Sequence, residues 1–258
     1  MGCRSLGSAE ALVNPEGGSG EERRVVLITG AGGGLGQALV RGFVGAGWRV
    51  AAVGHGRLPE PSDTVESIFP CALNVTDRHQ CESVVSAVAR RWGQLDLLIH
   101  NAGVTADRLL ATMRESDWDT VLDVHLKGAF LCSQAVLPWM IRRREGQILN
   151  ISSFSGRAGA VGQANYAAAK AGMIGLTMSL AREVADFGIR VNVVLPGVLP
   201  TRMTAAMTGM AREALVGANL LKRMNSLEEV ASLVVGLACA RDVSGQVFQW
   251  DSRICRWA

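Results

Sequence analysis

The chain has a single tyrosine, four histidines and only 5% aromatic residues, so chemistry that needs a phenol or an imidazole has few candidates. Its six cysteines, Cys3, Cys71, Cys81, Cys132, Cys239 and Cys255, form no C-x-x-C pair. Histidine and cysteine never cluster at ligand spacing, which argues against a metal site. The cysteines sit in apolar stretches such as Leu237-Ala238-Cys239, the pattern of buried reduced thiols in a cytoplasmic protein. No apolar run approaches the roughly 18 residues of a membrane helix. The N-terminus carries no apolar segment of the secretory kind. Met1-Gly2 is followed by Leu6 where a myristoylation motif wants Ser or Thr, and Cys255-Arg256-Trp257-Ala258 has no aliphatic pair for prenylation. A formal charge of only +3 gives no reason to expect a nucleic-acid partner.

What is present points to one folded α/β domain. Hydrophobic residues make up 48% of 258, enough for a large core, and charged residues 19%, too few for disorder. Residues 1–23 are Gly-, Ser- and Glu-rich without periodicity and read as a flexible extension to a domain over 24–258. Strand patterns at Val25–Ile28, Arg49–Val53, Leu95–Ile99, Gly146–Ile151, Ile189–Leu195 and Gln246–Trp250 alternate with helical ones. The helices run from Leu35 past Val44, from Trp118 to about Arg144, from Ala164 to about Phe187 and from Leu227 to Ala240. Gly54–Pro70, with three prolines, reads as loop. Such alternation makes right-handed βαβ units, and the expected fold is a single-domain Rossmann-type, doubly wound parallel sheet of about seven strands.

Thr29-Gly30-Ala31-Gly32-Gly33-Gly34-Leu35-Gly36 joins the first strand to the first helix. Glycine permits positive φ and close backbone approach, and the helix N-terminus presents free N–H groups to a pyrophosphate. Asn101-Ala102-Gly103 follows the fourth strand. Ser153 stands thirteen residues before Tyr166, Lys170 one helical turn after it, and Pro196-Gly197 follows the sixth strand with Thr201 beyond. In this order, from about Arg24 to Trp250, these features resemble the short-chain dehydrogenase/reductase family.

The resemblance implies a nicotinamide dinucleotide cofactor and four catalytic positions. Tyr166 gives its phenolic proton to the alkoxide left by hydride transfer. Lys170, on the same helix face, favours the phenolate and holds the ribose. Ser153 polarises the substrate carbonyl. His125 stands where the family has an Asn that holds a relay water, and a neutral imidazole also offers a donor and an acceptor. Asn74 and Val75 border the adenine, Asn101, Ala102 and Gly103 steady the sheet beside the cofactor, and Pro196, Gly197, Val198 and Thr201 meet the nicotinamide side. The resemblance extends to the closed homo-oligomers of the family, a tetramer or else a dimer.

An acid at the end of the second strand would bind the ribose of NAD and repel a 2′-phosphate. Gly54 takes its place, and His55 and Arg57 follow, so NADP(H) is expected, with NAD(H) left open. The stretches Gly103–Leu110 and Gly162–Gly172 most resemble 3-oxoacyl-[acyl-carrier-protein] reductases of fatty acid biosynthesis, which implies an acyl-thioester substrate and an acidic carrier as partner. Arg142-Arg143-Arg144 offers that carrier a docking charge, or is a solvated helix end. Phe187, His125 and the tail Asp251-Ser252-Arg253 depart from the pattern. A dehydrogenase of another secondary alcohol (hydroxy-acid, sugar or steroid-like) stays open, as does a cofactor-binding sensor that has lost catalysis. In all readings residues 198–225 form the substrate lid, and its Met203, Met207, Met210 and Leu215 suggest an apolar pocket.

Overall fold

The computed structural model describes residues 23–55, 58, 67–205 and 207–254. The readings made for the N-terminal extension, for Arg57 and for the C-terminal Cys255 lie outside them. Seven parallel strands form one sheet: β1 (Val25–Thr29), β2 (Arg49–Gly54), β3 (Ile68–Ala72), β4 (Leu97–His100), β5 (Gly146–Ile151), β6 (Ile189–Leu195) and β7 (Val247–Gln249). Their order is β3-β2-β1-β4-β5-β6-β7, so the winding reverses between β1 and β4. Such a switch point opens a crevice at the carboxyl ends of the strands.

The apolar runs are strands because both faces of the sheet are covered. Val25 and Leu27 point into a core shared with α2 (Arg78–Trp92), α4 (Gly128–Arg143) and α6 (Ala164–Val184). Val26 and Ile28 point into a second core, under α1 (Gly34–Gly45) and α9 (Leu227–Cys239). All five residues of β1 are buried, as a central parallel strand requires.

Three expectations change. The Gly54–Pro70 loop gives way at Ile68 to β3, where Pro70 is tolerated because the strand lies at the sheet's edge. A helix not anticipated from the sequence, α2, starts at Asp77, whose carboxylate accepts the Gln80 N–H at 3.1 Å, and stops at Gly93 in the left-handed region. The single long helix expected from Trp118 is instead α3 (Glu115–Leu122) and α4, joined by a π-helical turn over Asp123–Lys127. Segment 198–225 likewise contains two short helices, α7 (Arg202–Ala205) and α8 (Gly209–Gly217), and one helical turn after β5 forms α5 (Ser155–Ala158). Among the described residues no helix is long and apolar enough to cross a membrane.

Candidate active site

The turn from β1 into α1 leaves no room for a side chain at two of its glycines. A Cβ on Gly36 would lie 2.2 Å from the Gly30 carbonyl oxygen, and one on Gly30, at φ +65°, would lie 2.7 Å from Ala102 Cα. Gly33 caps α1 without a side-chain partner, so the N–H groups of Gly34 and Leu35 face the crevice for an anion. Asn101 clamps this loop: its side-chain amide donates to the carbonyls of Thr29 and Gly30, both at 3.1 Å. The Thr29 hydroxyl in turn accepts the N–H groups of Asn101 and Ala102 at 3.0 and 3.1 Å. The loop is therefore a clamped cradle in which Gly30 and Gly36 are required by backbone contacts, and its helix N-terminus suits a pyrophosphate.

The β2 end lies beside it. A Cβ on Gly54 would meet Gly30 Cα at 3.6 Å, an ordinary contact, so the missing acid is not a steric necessity. His55 is exposed there. Asn74 is half-buried, and its side-chain oxygen accepts from the Thr76 N–H and hydroxyl, which shapes the entry to α2. Val75 is buried against Gly128. Thr201 reaches across to Gly34, with its methyl 3.4 Å from a Cβ placed there. Gly197, at φ +81°, follows Pro196 and has no space for a side chain under Asp251 and Asn225. Val198 is buried and its carbonyl accepts the Asn225 N–H at 2.8 Å.

The start of α6 is held by contacts that local sequence does not reveal. Asn165, fully buried, donates to the carbonyls of Ala106 and Asp117, each at 3.0 Å. Gln163 donates to Asp107 at 2.8 Å, and Arg108 N–H to the Gly162 carbonyl at 2.7 Å. These bonds fix Tyr166, whose phenol is buried with Ser153 beside it. Lys170 lies one turn on, its Nζ 5.6 Å from the Tyr166 ring centre and donating to the Ile151 carbonyl at 2.6 Å. Gly156 lets α5 rest on the Lys170 backbone, where a Cβ would come within 2.7 Å.

Electrostatics in the chain alone run against the expected Tyr–Lys pairing. Burial pushes the Tyr166 phenol up to about 12; the Ser153 bond offsets part of this and the Asp107 charge adds to it. Burial brings Lys170 down to about 7. An ammonium that loses its proton near neutrality cannot stabilise a phenolate formed well above it. Tyr166 therefore holds its proton at neutral pH.

His125 occupies the middle of the π-helical turn, and that turn carries its ring under Val104 and against Tyr166, edge to face at 5.2 Å. Its Nε2 lies 2.8 Å from the Val104 carbonyl oxygen and 3.1 Å from the Val104 nitrogen, so it either donates to one or accepts from the other. Either tautomer leaves Nδ1 buried and without a partner. Burial, then the Lys170 charge, brings the imidazole down to about 3, so the ring is neutral at pH 7. Gly103 is a glycine because of this ring: a Cβ there would sit 2.4 Å from Cε1.

The structure thus brings Ser153, Tyr166, Lys170 and His125 together at the carboxyl ends of β4, β5 and β6, beside the cradle. Exposed Leu109 and Leu110 stand at the mouth with exposed Val161, across the Arg108–Gly162 hydrogen bond. The altered tail closes one wall. Arg253 pairs with Asp251, whose side chain is fully buried, and lies 4.0 Å over the ring of Phe154, the residue after Ser153.

A family model described as short chain dehydrogenase matches residues 24–211. The chain is 42% identical over 238 residues to the 3-oxoacyl-[acyl-carrier-protein] reductase FabG of Thermotoga maritima, covering 89% of this chain and 97% of that one. It is 39% identical over 229 residues to the protein of the same name from Staphylococcus aureus, covering 85% and 93%. For that of Salmonella typhimurium the figures are 38% over 222 residues, covering 84% and 90%.

Proposed function

We propose, from the premise that this chain belongs to the short-chain dehydrogenase family and is an oxidoreductase with a nicotinamide cofactor, that it reduces 3-oxoacyl thioesters with NADPH. The observation that carries the reading is buried Tyr166, with Lys170 Nζ 5.6 Å from its ring and His125 edge to face with it, beside the glycine cradle. The bound cofactor supplies the hydride. Ser153 and Tyr166 both address the substrate oxygen and hold it where charge develops. As that oxygen becomes an alkoxide, a far stronger base than a phenolate, Tyr166 passes its proton to it. A phenol at about 12 keeps that proton ready at neutral pH, which suits reduction better than alcohol oxidation. Lys170 holds the ribose, and the unpartnered Nδ1 of His125 holds the water that returns a proton towards Tyr166.

The acyl substrate is supported by the apolar mouth of Leu109, Leu110 and Val161, together with the names of the relatives. NADP(H) is supported by Gly54, which removes the carboxylate that would repel a 2′-phosphate. Phe130 of α4 and Met178 of α6 are exposed apolar residues, which supports a closed homo-oligomer built through these two helices. The test is turnover of acetoacetyl-CoA with NADPH. Consumption of NADPH matched by 3-hydroxybutyryl-CoA supports the reading. No turnover with it, beside turnover of a hydroxy-acid, sugar or steroid-like alcohol, replaces it by the dehydrogenase reading.

A further inference from the structure

The chain after β7 ties itself into a polar knot around Asp251. The Asp251 side chain is fully buried, and a carboxylate in such a place needs a cation and donors around it. Its neighbours supply both. Asp251 Oδ2 accepts from Arg253 Nε at 2.7 Å, and Oδ1 accepts the Arg253 backbone N–H at 3.0 Å and Gln249 Nε2 at 2.8 Å. The same Gln249 amide donates to the Arg253 carbonyl at 2.9 Å. Gly197 makes room for the knot, since a Cβ there would lie 2.8 Å from Asp251 Cβ. Ser252 adds a tie to the segment 198–225: its carbonyl and hydroxyl accept the N–H groups of Leu220 and Leu221 at 3.2 and 3.1 Å. The Arg253 side chain is only 9% exposed, so its guanidinium is held in one place.

That guanidinium lies 4.0 Å over the Phe154 ring, where a planar cation stacks well on an aromatic face. Gln249 reaches the same element, its Oε1 accepting from Arg157 Nη1 at 3.3 Å. Phe154 is the residue that opens α5 and Arg157 lies in its last half, so the tail grips this turn at both ends. Between them Gly156 rests on the Lys170 backbone. A helix of four residues is too short to hold its shape by itself, and α5 depends on these contacts. Its first residue bears on the active site: the Ser155 N–H donates to the Ser153 hydroxyl oxygen at 3.1 Å. A hydroxyl has two lone pairs and one proton. With one lone pair tied to Ser155, the other and the proton keep a set direction for a phenol and a carbonyl oxygen. A slack turn would release the Ser155 bond and let the hydroxyl rotate.

We infer that Arg253 is a positioning residue for the carbonyl reduction: locked on Asp251 and laid over Phe154, it holds α5 so that the Ser153 hydroxyl stays aimed at the substrate oxygen; this rests on the reductase reading above. The experiment is a double-mutant cycle of Arg253→Ala with Ser153→Ala. It is read by kcat and KM for acetoacetyl-CoA reduction, by the NADPH dissociation constant and by hydrogen exchange of the peptide from Phe154 to Gly159. Arg253→Ala should lower kcat about tenfold, with KM and NADPH affinity within about twofold of wild type. In the Ser153→Ala background the same change should cost less than about twofold, because the group it positions is gone. The α5 amides should exchange about tenfold faster than in wild type. Arg253→Ala also leaves Asp251 buried without its cation, which threatens folding. Phe154→Leu keeps that ion pair, and should show the same pattern with about a threefold loss of kcat. Wild-type kcat in both variants overturns the inference, as does unchanged α5 exchange. Equal losses with and without the Ser153 hydroxyl also overturn it, since they mark lost stability rather than lost aim. If wild type leaves acetoacetyl-CoA unreduced, the reductase reading fails, and the exchange rates still decide whether Arg253 holds the turn.

Discussion

Gly36 and Gly217 both lie in helices, one in the first turn of α1 and one at the end of α8. A Cβ on Gly36 would fall 2.2 Å from a backbone oxygen, whereas one on Gly217 would meet nothing within 4 Å. The cofactor side is built from backbone packed on backbone, clamped by Asn101, so its residue types are set by geometry. The segment 198–225 carries mostly partly or fully exposed side chains, with open space around Gly209 and Gly217. The chain departs from its family pattern at the tail, where Asp251 and Arg253 pair with each other. It keeps the pattern where a single atom would not fit. His125 is the exception, and its ring fits because Gly103 leaves the space for it.

The contrast is sharpest in paired glycine substitutions. Gly36→Ala should cost about 3 kcal/mol or more and abolish NADPH binding, because the obstructing atoms are backbone and cannot give way. Gly217→Ala should change stability by no more than about 1 kcal/mol and leave NADPH binding intact. Thermal unfolding and NADPH fluorescence titration read both. Similar losses for the two variants would end the distinction.

His125 tests whether the one departure inside the rigid half is functional. His125→Ala should lower kcat by about tenfold or more, while His125→Asn, which also offers an acceptor, should stay near wild type. An alanine variant that matches wild type from about pH 6 to about pH 9 removes His125 from the proton path, leaving it a packing role.

Gly54 lies where the rigid half has spare room. Since a Cβ there makes only ordinary contact, Gly54→Asp should fold normally and shift the NADPH/NADH ratio of kcat/KM towards NADH by about tenfold. A wild type that already prefers NADH would contradict the cofactor assignment.

A further prediction concerns acid stability. His100 and His125 are both brought down to about 3, chiefly by burial, from an unfolded value of about 6.5. Between those values the unfolded chain binds more protons, so stability falls as pH drops from about 6.5 towards 3, by up to about 1.4 kcal/mol per pH unit for each histidine. Urea unfolding at two pH values checks the slope, and His125→Asn should reduce it by about half. An unchanged slope would show that His125 is not buried neutral.

Much of this was readable in the sequence because the informative residues are close together in it. The apolar runs give the strands, and the spacing of Tyr166 and Lys170 puts them on one helix face. Helix α2 was also encoded, by Asp77 with Gln80 and by Cys81, Val85, Val88 and Trp92 at helical spacing, but its polar face masks the pattern. The clasp on α6 was not readable, because Asn165 and Gln163 find partners 48 to 59 residues away. Nor was the π-helical turn, in which His125 meets Val104 and Tyr166, residues 21 and 41 positions away. Cys239 was expected to be buried with the other thiols and is exposed, at the end of α9.

The central claim is that the chain's only tyrosine is the proton donor of a carbonyl reduction. Tyr166→Phe keeps the ring and its packing against His125 and removes only the hydroxyl. The measurement is kcat for acetoacetyl-CoA reduction alongside the NADPH dissociation constant. The account predicts unchanged NADPH affinity and turnover lowered by about a hundredfold or more. Retention of roughly a tenth of wild-type turnover, against the factor of a hundred expected for a lost general acid, would contradict it.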